Sequence, residues 1–298
     1  MLGLGGVGGA LAARTGALCV GTERTVEAIR ARGLTLVDGL GTLVAHPEAT
    51  VRLERPVALL VVAVKAYDLD AALDRIGPEA LDGAVVLPLL NGLEHVDAIR
   101  GRLGRARYRL LQAPPAVAAG TIGVFSAAST EPGVVVQATT GPATIRVASR
   151  DVDRETLAAV LAPLDVPGVE VVVGDDEREV LWEKAVRLAV VAAASTASGL
   201  AVGALRADPA WRERMRAAVG EAAAAATADG VPMSATSQWA MIEAMQPELT
   251  TSAARDAAAG RPTELDAIVG SIVRAAARLG VETPALAALW EEARCRAQ

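Results

Sequence analysis

Two titratable residues far apart in the chain carry the chemistry that the sequence suggests first. Lys184 is spaced three and four residues from Leu181 and Leu188, with Val191 one turn further, so on a helix it shares their apolar face. Glu183 and Arg187 form an i, i+4 pair on another face. A partly buried ammonium loses hydration, its pKa falls from about 10.4 toward neutrality, and it then suits a general acid that protonates a carbonyl oxygen. The competing reading is a lysine snorkelling at the edge of a core. Glu264 lies in Gly260-Arg261-Pro262-Thr263-Glu264-Leu265-Asp266, which reads as a helix start with Thr263 as N-cap and Glu264 in the first turn. There the helix dipole favours the carboxylate, which can orient an ammonium or a substrate hydroxyl or simply stabilise its helix.

A second constellation sits at the start of the chain. Gly3-Leu4-Gly5-Gly6-Val7-Gly8-Gly9 contains GxGxxG at Gly3, Gly5 and Gly8, ahead of the helical-looking Ala10–Arg14. Such glycines permit a tight turn, close backbone approach to a pyrophosphate, and helix packing, and the helix N-terminus favours the phosphate charge. Alone the motif is weak, since a glycine-rich start can be merely flexible; the alternation of short strands and helices behind it is what gives it weight. Lys65 ends the apolar run Leu59–Val64, and Asn91-Gly92 ends Ala84–Leu90, so both stand at carboxyl ends of strands, where open α/β sheets bind ligands. Either is also an ordinary turn residue. Near Gly21-Thr22-Glu23-Arg24 an acid suits a ribose hydroxyl and an arginine a 2′-phosphate, and the residues leave both open.

These residues need a scaffold, and the pattern supplies one. Ala17–Val20, Thr25–Arg32, Pro56–Val64, Leu69–Ile76 and Ala84–Leu90 alternate as short apolar runs and amphipathic stretches, a βαβ rhythm. Gly133–Ala138 and Ala143–Ala148, joined by Thr139-Thr140-Gly141-Pro142, read as a hairpin. After Val169–Val173 the character changes at Gly174, and Asp208-Pro209, Asp229-Gly230-Val231-Pro232 and Gly260-Arg261-Pro262 divide an Ala-rich remainder into helices. The expected domains are therefore 1–173, a Rossmann-type domain, and 174–298, a helical one. Only Met1 and Leu2 precede the glycine loop, so the first strand reads as missing, with Met1 where its last valine belongs and about five to seven residues expected upstream.

Composition narrows the class. At 298 residues, 52% hydrophobic and 21% charged, the chain is a globular protein of two-domain size, and 2% aromatic content leaves its cores to Ala, Val and Leu. A formal net charge of -6 offers no basic surface to nucleic acid. Cys19 and Cys295 form no disulfide framework and fit a reducing cytoplasm; with two histidines and no HExxH or CxxC, no metal is expected. The uncharged stretch Leu188 to Leu205 is built of Ala, Ser, Thr and Gly, which favours a buried helix pair over a membrane span.

Taken in order, the motifs resemble the ketopantoate reductase (2-dehydropantoate 2-reductase) family over almost the whole chain: Gly3 to Gly9, Val64-Lys65-Ala66-Tyr67-Asp68, Asn91-Gly92, Leu181-Trp182-Glu183-Lys184, then Ser252 and Asp256 ahead of Thr263 to Gly270. The resemblance implies an α/β fold, a Rossmann-type dinucleotide-binding domain followed by an all-helical C-terminal domain similar to that of 6-phosphogluconate dehydrogenase. It implies NADP(H) as cofactor, a small-molecule 2-oxo acid as substrate, reduction of ketopantoate to pantoate on the way to pantothenate, and a helical domain that takes substrate and pairs two copies as a homodimer. On this resemblance Lys184 is the general acid, Glu264 its partner, Asn91 a contact to nicotinamide and substrate, and Ser252 a substrate contact. The cofactor falls to Gly3, Leu4, Gly5, Gly6, Val7, Gly8, Lys65, Asn91 and Glu264, with Lys65 matching the 2′-phosphate lysine. The sequence departs from the family at Thr22, where an arginine is usual, at Leu90, where glutamine is common, and at Leu188 and Ala192, where two asparagines are usual. Losing those amides points to a more apolar carbonyl substrate or to a nucleotide-binding protein without turnover as the alternatives.

Overall fold

Runs of Val, Leu and Ala without polar alternation make strands that must be covered on both faces. In the computed structural model, which describes all residues except 105–107, 109, 110, 124 and 140, such runs build a parallel sheet. Its spatial order is Ala49–Thr50, Cys19–Val20, Leu2, Leu59–Val62, Val85–Pro88, Ala116–Val117. Val62, Val86 and Leu87 are fully buried within it. The first strand is present as a single rung. Leu2 donates its N–H to the Val61 carbonyl and accepts from the Ala63 N–H, both at 2.8 Å, and the Gly3 N–H reaches the Val20 carbonyl at 3.1 Å. That rung joins the two halves of the sheet at the point where the glycine loop begins.

Val134–Gln137 and Ala143–Ala148 are strands, as expected, but they do not form a hairpin with each other. Val134–Gln137 pairs antiparallel with Ala127–Glu131 and parallel with Leu34–Asp38. Ala143–Ala148 pairs antiparallel with Ala119–Ile122 and parallel with Val169–Val173. The tight turn lies instead at Pro132-Gly133, where Gly133 takes φ +80, a left-handed conformation that glycine adopts without strain. The two strands belong to different sheets, and Thr140, in the expected turn between them, lies outside the described residues.

The chain divides into two units, Met1–Leu90 with His95–Val180, and Asn91–Glu94 with Leu181–Gln298. The second is helical. Its helices end where the sequence breaks: Asp208 caps Pro209–Ala228 by accepting from the N–H groups of Ala210 (2.8 Å) and Trp211 (3.1 Å), and Pro209 stands at the first turn, where no N–H is needed. Ala192, Ala193, Ala194, Ala218, Ala222 and Ala225 are wholly buried, so small side chains let the helices close on one another in place of aromatic filling. The uncharged stretch 188–205 is interrupted by Gly199 at φ +76, between Glu177–Ser198 and Val202–Ala207. Among the described residues no helix is long and apolar enough to cross a membrane.

Candidate active site

Lys184 is carried near the start of the Glu177–Ser198 helix. Two residues earlier Trp182 is 2% exposed and its indole N–H donates to Asp229 Oδ2 at 2.7 Å, which fixes the rotation of the helix and so the face that bears the lysine. The Lys184 ammonium is half-buried and donates to Asn91 Oδ1 at 2.9 Å. Desolvation by the surrounding protein pulls its pKa down from the ordinary lysine value to about 8; the Glu264 carboxylate opposes the fall and the Arg187 guanidinium adds to it. Arg187 is turned aside by its own bond to Gln238 Oε1 at 2.7 Å. The lysine is therefore part ammonium, part amine in the neutral to mildly alkaline range, the state a proton donor needs.

Glu264 is 5% exposed. The expected helix start shifts by one residue here: Thr263 does not cap, Glu264 stands just before the helix, and its carbonyl accepts the Ile268 N–H at 2.9 Å. The first turn, Asp266–Gly270, is π-helical before the chain tightens into Ser271–Arg278. A π turn widens the backbone and occurs often at functional sites. Gly92 packs directly on the Ala267 carbonyl within this turn, and a methyl group at position 92, where φ is +94, would collide with it. Leu93 donates its N–H to Ser271 Oγ at 3.3 Å. Asn91, although far from Lys184 in sequence, is thus delivered by a four-residue segment docked on the helix that follows Glu264. Ser252 is the first residue of Ser252–Ala258, half-buried behind the cap Thr251, whose side chain accepts the Ala254 N–H. It belongs to the same unit but is not hydrogen-bonded to Lys184.

In the first unit the glycine loop meets the requirements of a dinucleotide cradle. Gly3 takes φ +88 and lies against Val64 and the Ala63 backbone, and a methyl group at Gly8 would collide with the Gly3 carbonyl. At Gly5, by contrast, nothing lies within 4 Å of the place a Cβ would occupy. Packing within the chain therefore demands glycine at Gly3 and Gly8, whereas at Gly5 only a ligand's approach would demand it. Gly5 is also the N-cap of Gly6–Thr15 and supplies no side-chain cap, leaving the first N–H groups of that helix available to a phosphate. Lys65 stands at the N-cap of the short turn Ala66–Asp68, after the strand Leu59–Val62. Gly8→Ala is expected to destabilise the fold by about 2–4 kcal/mol. Gly5→Ala is expected to lower the melting temperature much less than Gly8→Ala does, by the loss of a helix cap alone, while weakening nucleotide binding by about tenfold; a thermal melt beside a fluorescence titration reads both.

One signal for these positions was in the composition. Of the 29 basic side chains only two are lysines, and they are Lys65 and Lys184. Everywhere else the chain uses arginine for positive charge, and an ammonium differs from a guanidinium in being a point charge with a removable proton.

The profile of the family described as "Ketopantoate reductase PanE/ApbA" matches residues 1–150, and that described as "Ketopantoate reductase PanE/ApbA C terminal" matches residues 176–296. A 2-dehydropantoate 2-reductase of Halobacterium salinarum is 30% identical over 303 residues, covering 94% of each chain. The crystal structure of a PanE/ApbA family ketopantoate reductase from Ralstonia eutropha is 28% identical, with a TM-score of 0.80 over 99% of this chain and 97% of that one. A ternary structure of D-mandelate dehydrogenase with NADH and anilino(oxo)acetate superposes with a TM-score of 0.83 at 21% identity over 99% and 97% of the two chains, a likeness of fold.

Proposed function

Because the chain belongs to the ketopantoate reductase family and is an oxidoreductase of that kind, we propose that it reduces a 2-oxo acid with NADPH, 2-dehydropantoate to pantoate being the leading reaction. The observation that carries this reading is a half-buried lysine, with a pKa of about 8, hydrogen-bonded to Asn91 and under the field of the Glu264 carboxylate. A nicotinamide nucleotide, when bound, supplies the hydride that reaches the carbonyl carbon. Gly3, Leu4, Gly5, Gly6, Val7 and Gly8 are the residues to hold its pyrophosphate, and Lys65 its 2′-phosphate, with Asn91 and Glu264 toward the nicotinamide. Lys184 gives its proton to the carbonyl oxygen as negative charge develops there, and Asn91 Oδ1 keeps the ammonium aimed. Glu264 stabilises the charged lysine before transfer and orients the new hydroxyl after it, while the Ser252 hydroxyl contacts the substrate. A donor whose pKa lies close to the working pH transfers its proton with little thermodynamic penalty.

Leu188 and Ala192 favour a second reading, a more apolar 2-oxo acid. Leu188 is half-buried against the helical core and Ala192 has no exposed surface, so position 188 is the one of the two where an amide could meet a ligand. NADPH oxidation measured with 2-dehydropantoate and with phenylglyoxylate separates the readings. Faster turnover of 2-dehydropantoate supports the family reaction, whereas preference for phenylglyoxylate selects the apolar acid. Nucleotide binding without turnover of either acid would sink both. On the second reading Leu188→Asn is expected to shift the ratio of kcat/KM values toward 2-dehydropantoate by about five- to tenfold, the worth of one added hydrogen bond.

A further inference from the structure

The two polar neighbours of Lys184 arrive on separate pieces of chain, Asn91 on the segment Asn91–Glu94 and Glu264 on the turn leading into the π-helical stretch. One side chain joins both pieces. Arg274, on Ser271–Arg278, bonds Glu94 in a two-pronged pair, Nε to Oε1 at 3.0 Å and Nη2 to Oε2 at 2.7 Å. Its Nη1 also reaches Asp266 Oδ1 at 3.0 Å. Glu94 lies three residues after Asn91, and Asp266 two residues after Glu264. Arg278 approaches Glu94 at 3.6 Å as a second cation on the same carboxylate. Gly270 leaves the room for this arrangement, since a methyl group there would stand 2.9 Å from both Arg274 Nη1 and Asp266 Oδ1 and 2.6 Å from Trp290. The network holds its charges firmly: hydrogen bonding from Arg274 pulls the Glu94 carboxyl below its ordinary pKa, and the bond to Glu94 raises that of Arg274.

We propose that Arg274 is a positioning residue for the reduction, its guanidinium tying the Asn91 segment and the Glu264 turn to one helix so that both stay on Lys184. This rests on the reading of Lys184 as the proton donor. A planar guanidinium with donors on several edges can bind two carboxylates at once, which an ammonium on a flexible stem does poorly. The three side chains are 38% (Arg274), 40% (Glu94) and 74% (Asp266) exposed, so the pairs add little to stability and geometry is what they have to offer.

Desolvation is the largest influence on the Lys184 ammonium, and among the described residues the Glu264 carboxylate opposes it and the Arg187 guanidinium adds to it. Asn91 Oδ1 accepts the ammonium's hydrogen bond at 2.9 Å. Slackening the tie loosens Asn91 and Glu264 on the ammonium and admits water to it, so the Lys184 midpoint moves. Because the chain has only two lysines, carbon-13 labelling of lysine gives two side-chain signals, and Lys184→Ala assigns them. In Arg274→Met the Lys184 midpoint is expected to move by about half to one unit. The kcat is expected to fall about tenfold, a larger loss than that of NADPH affinity. Arg274→Lys should lie between. Glu94→Gln and Asp266→Asn, which each cut one arm, should each give part of the shift and serve if Arg274→Met does not fold. A folded Arg274→Met with the midpoint and kcat unmoved overturns the proposal, and so does loss of fold in all these variants, which would make Arg274 a structural tie. Turnover that survives Lys184→Ala would instead sink the proton-donor reading, and the lysine midpoint still reports on the tie in that case.

Discussion

Replacing Lys184 with arginine is expected to lower kcat by about 10²- to 10⁴-fold, nearly as far as replacing it with alanine. Arginine keeps the charge but cannot release a proton near neutrality, so the substitution removes the acid and leaves the cation. NADPH affinity should change by no more than about threefold in either variant, because a proton donor acts at the transition state. Steady-state kinetics beside a binding titration decide this, and an arginine variant that keeps a tenth of the activity would rule the role out. The same residue should weaken the fold. Its pKa is depressed in the folded chain to about 8, below the unfolded value of about 10.4, so the unfolded chain binds the proton more tightly in that window. The associated stability is complete above the unfolded value and is lost as pH falls through about 8. At pH 7 Lys184→Met is therefore expected to raise the melting temperature by about 2–4 °C, a gain that shrinks toward pH 10.5.

What sequence could reveal followed the range of the forces involved. The strands Leu59–Val62 and Val85–Pro88 and the breaks at Asp208-Pro209 and Gly260 to Pro262 are written in neighbouring residues, because burial on both faces and cap chemistry act locally. The helical face of Lys184 was legible for the same reason. Which strands pair was not: Pro132-Gly133 and Gly141-Pro142 carry similar turn residues, and the pairing of Ala143–Ala148 with Val169–Val173 and Ala119–Ile122 is decided by distant partners. The docking of Asn91–Glu94 on Ser271–Arg278 was equally hidden, since Gly92 is an ordinary turn glycine until the Ala267 carbonyl is seen against it. The π turn after Glu264 carries that contact, and propensity alone predicts an α-helical start there.

Glu264→Gln is expected to reduce kcat by about 10²-fold at pH 8 and to move the alkaline limb of the pH profile toward acid. The carboxylate is buried, and among the influences on Lys184 it is the one that raises the pKa against desolvation. An amide keeps the shape and removes the charge, so the lysine pKa falls further below about 8 and less of it carries a proton at any given pH. Activity declines as pH rises through the lysine pKa, because the deprotonated amine has no proton to give; the limb of the variant must therefore lie at lower pH than that of the parent, and part of the lost kcat should return by pH 6. Glu264→Asp, which restores the charge one methylene further back, should recover part of the rate and shift the limb toward its original position. A loss of the same size at every pH would assign Glu264 to the substrate hydroxyl rather than to the lysine, and an unchanged kcat would remove it from the reaction. The distinction follows from where the carboxylate does its work: a charge that holds the proton on Lys184 changes the pH at which the enzyme stops, while one that only holds the substrate changes the rate and leaves that pH where it was.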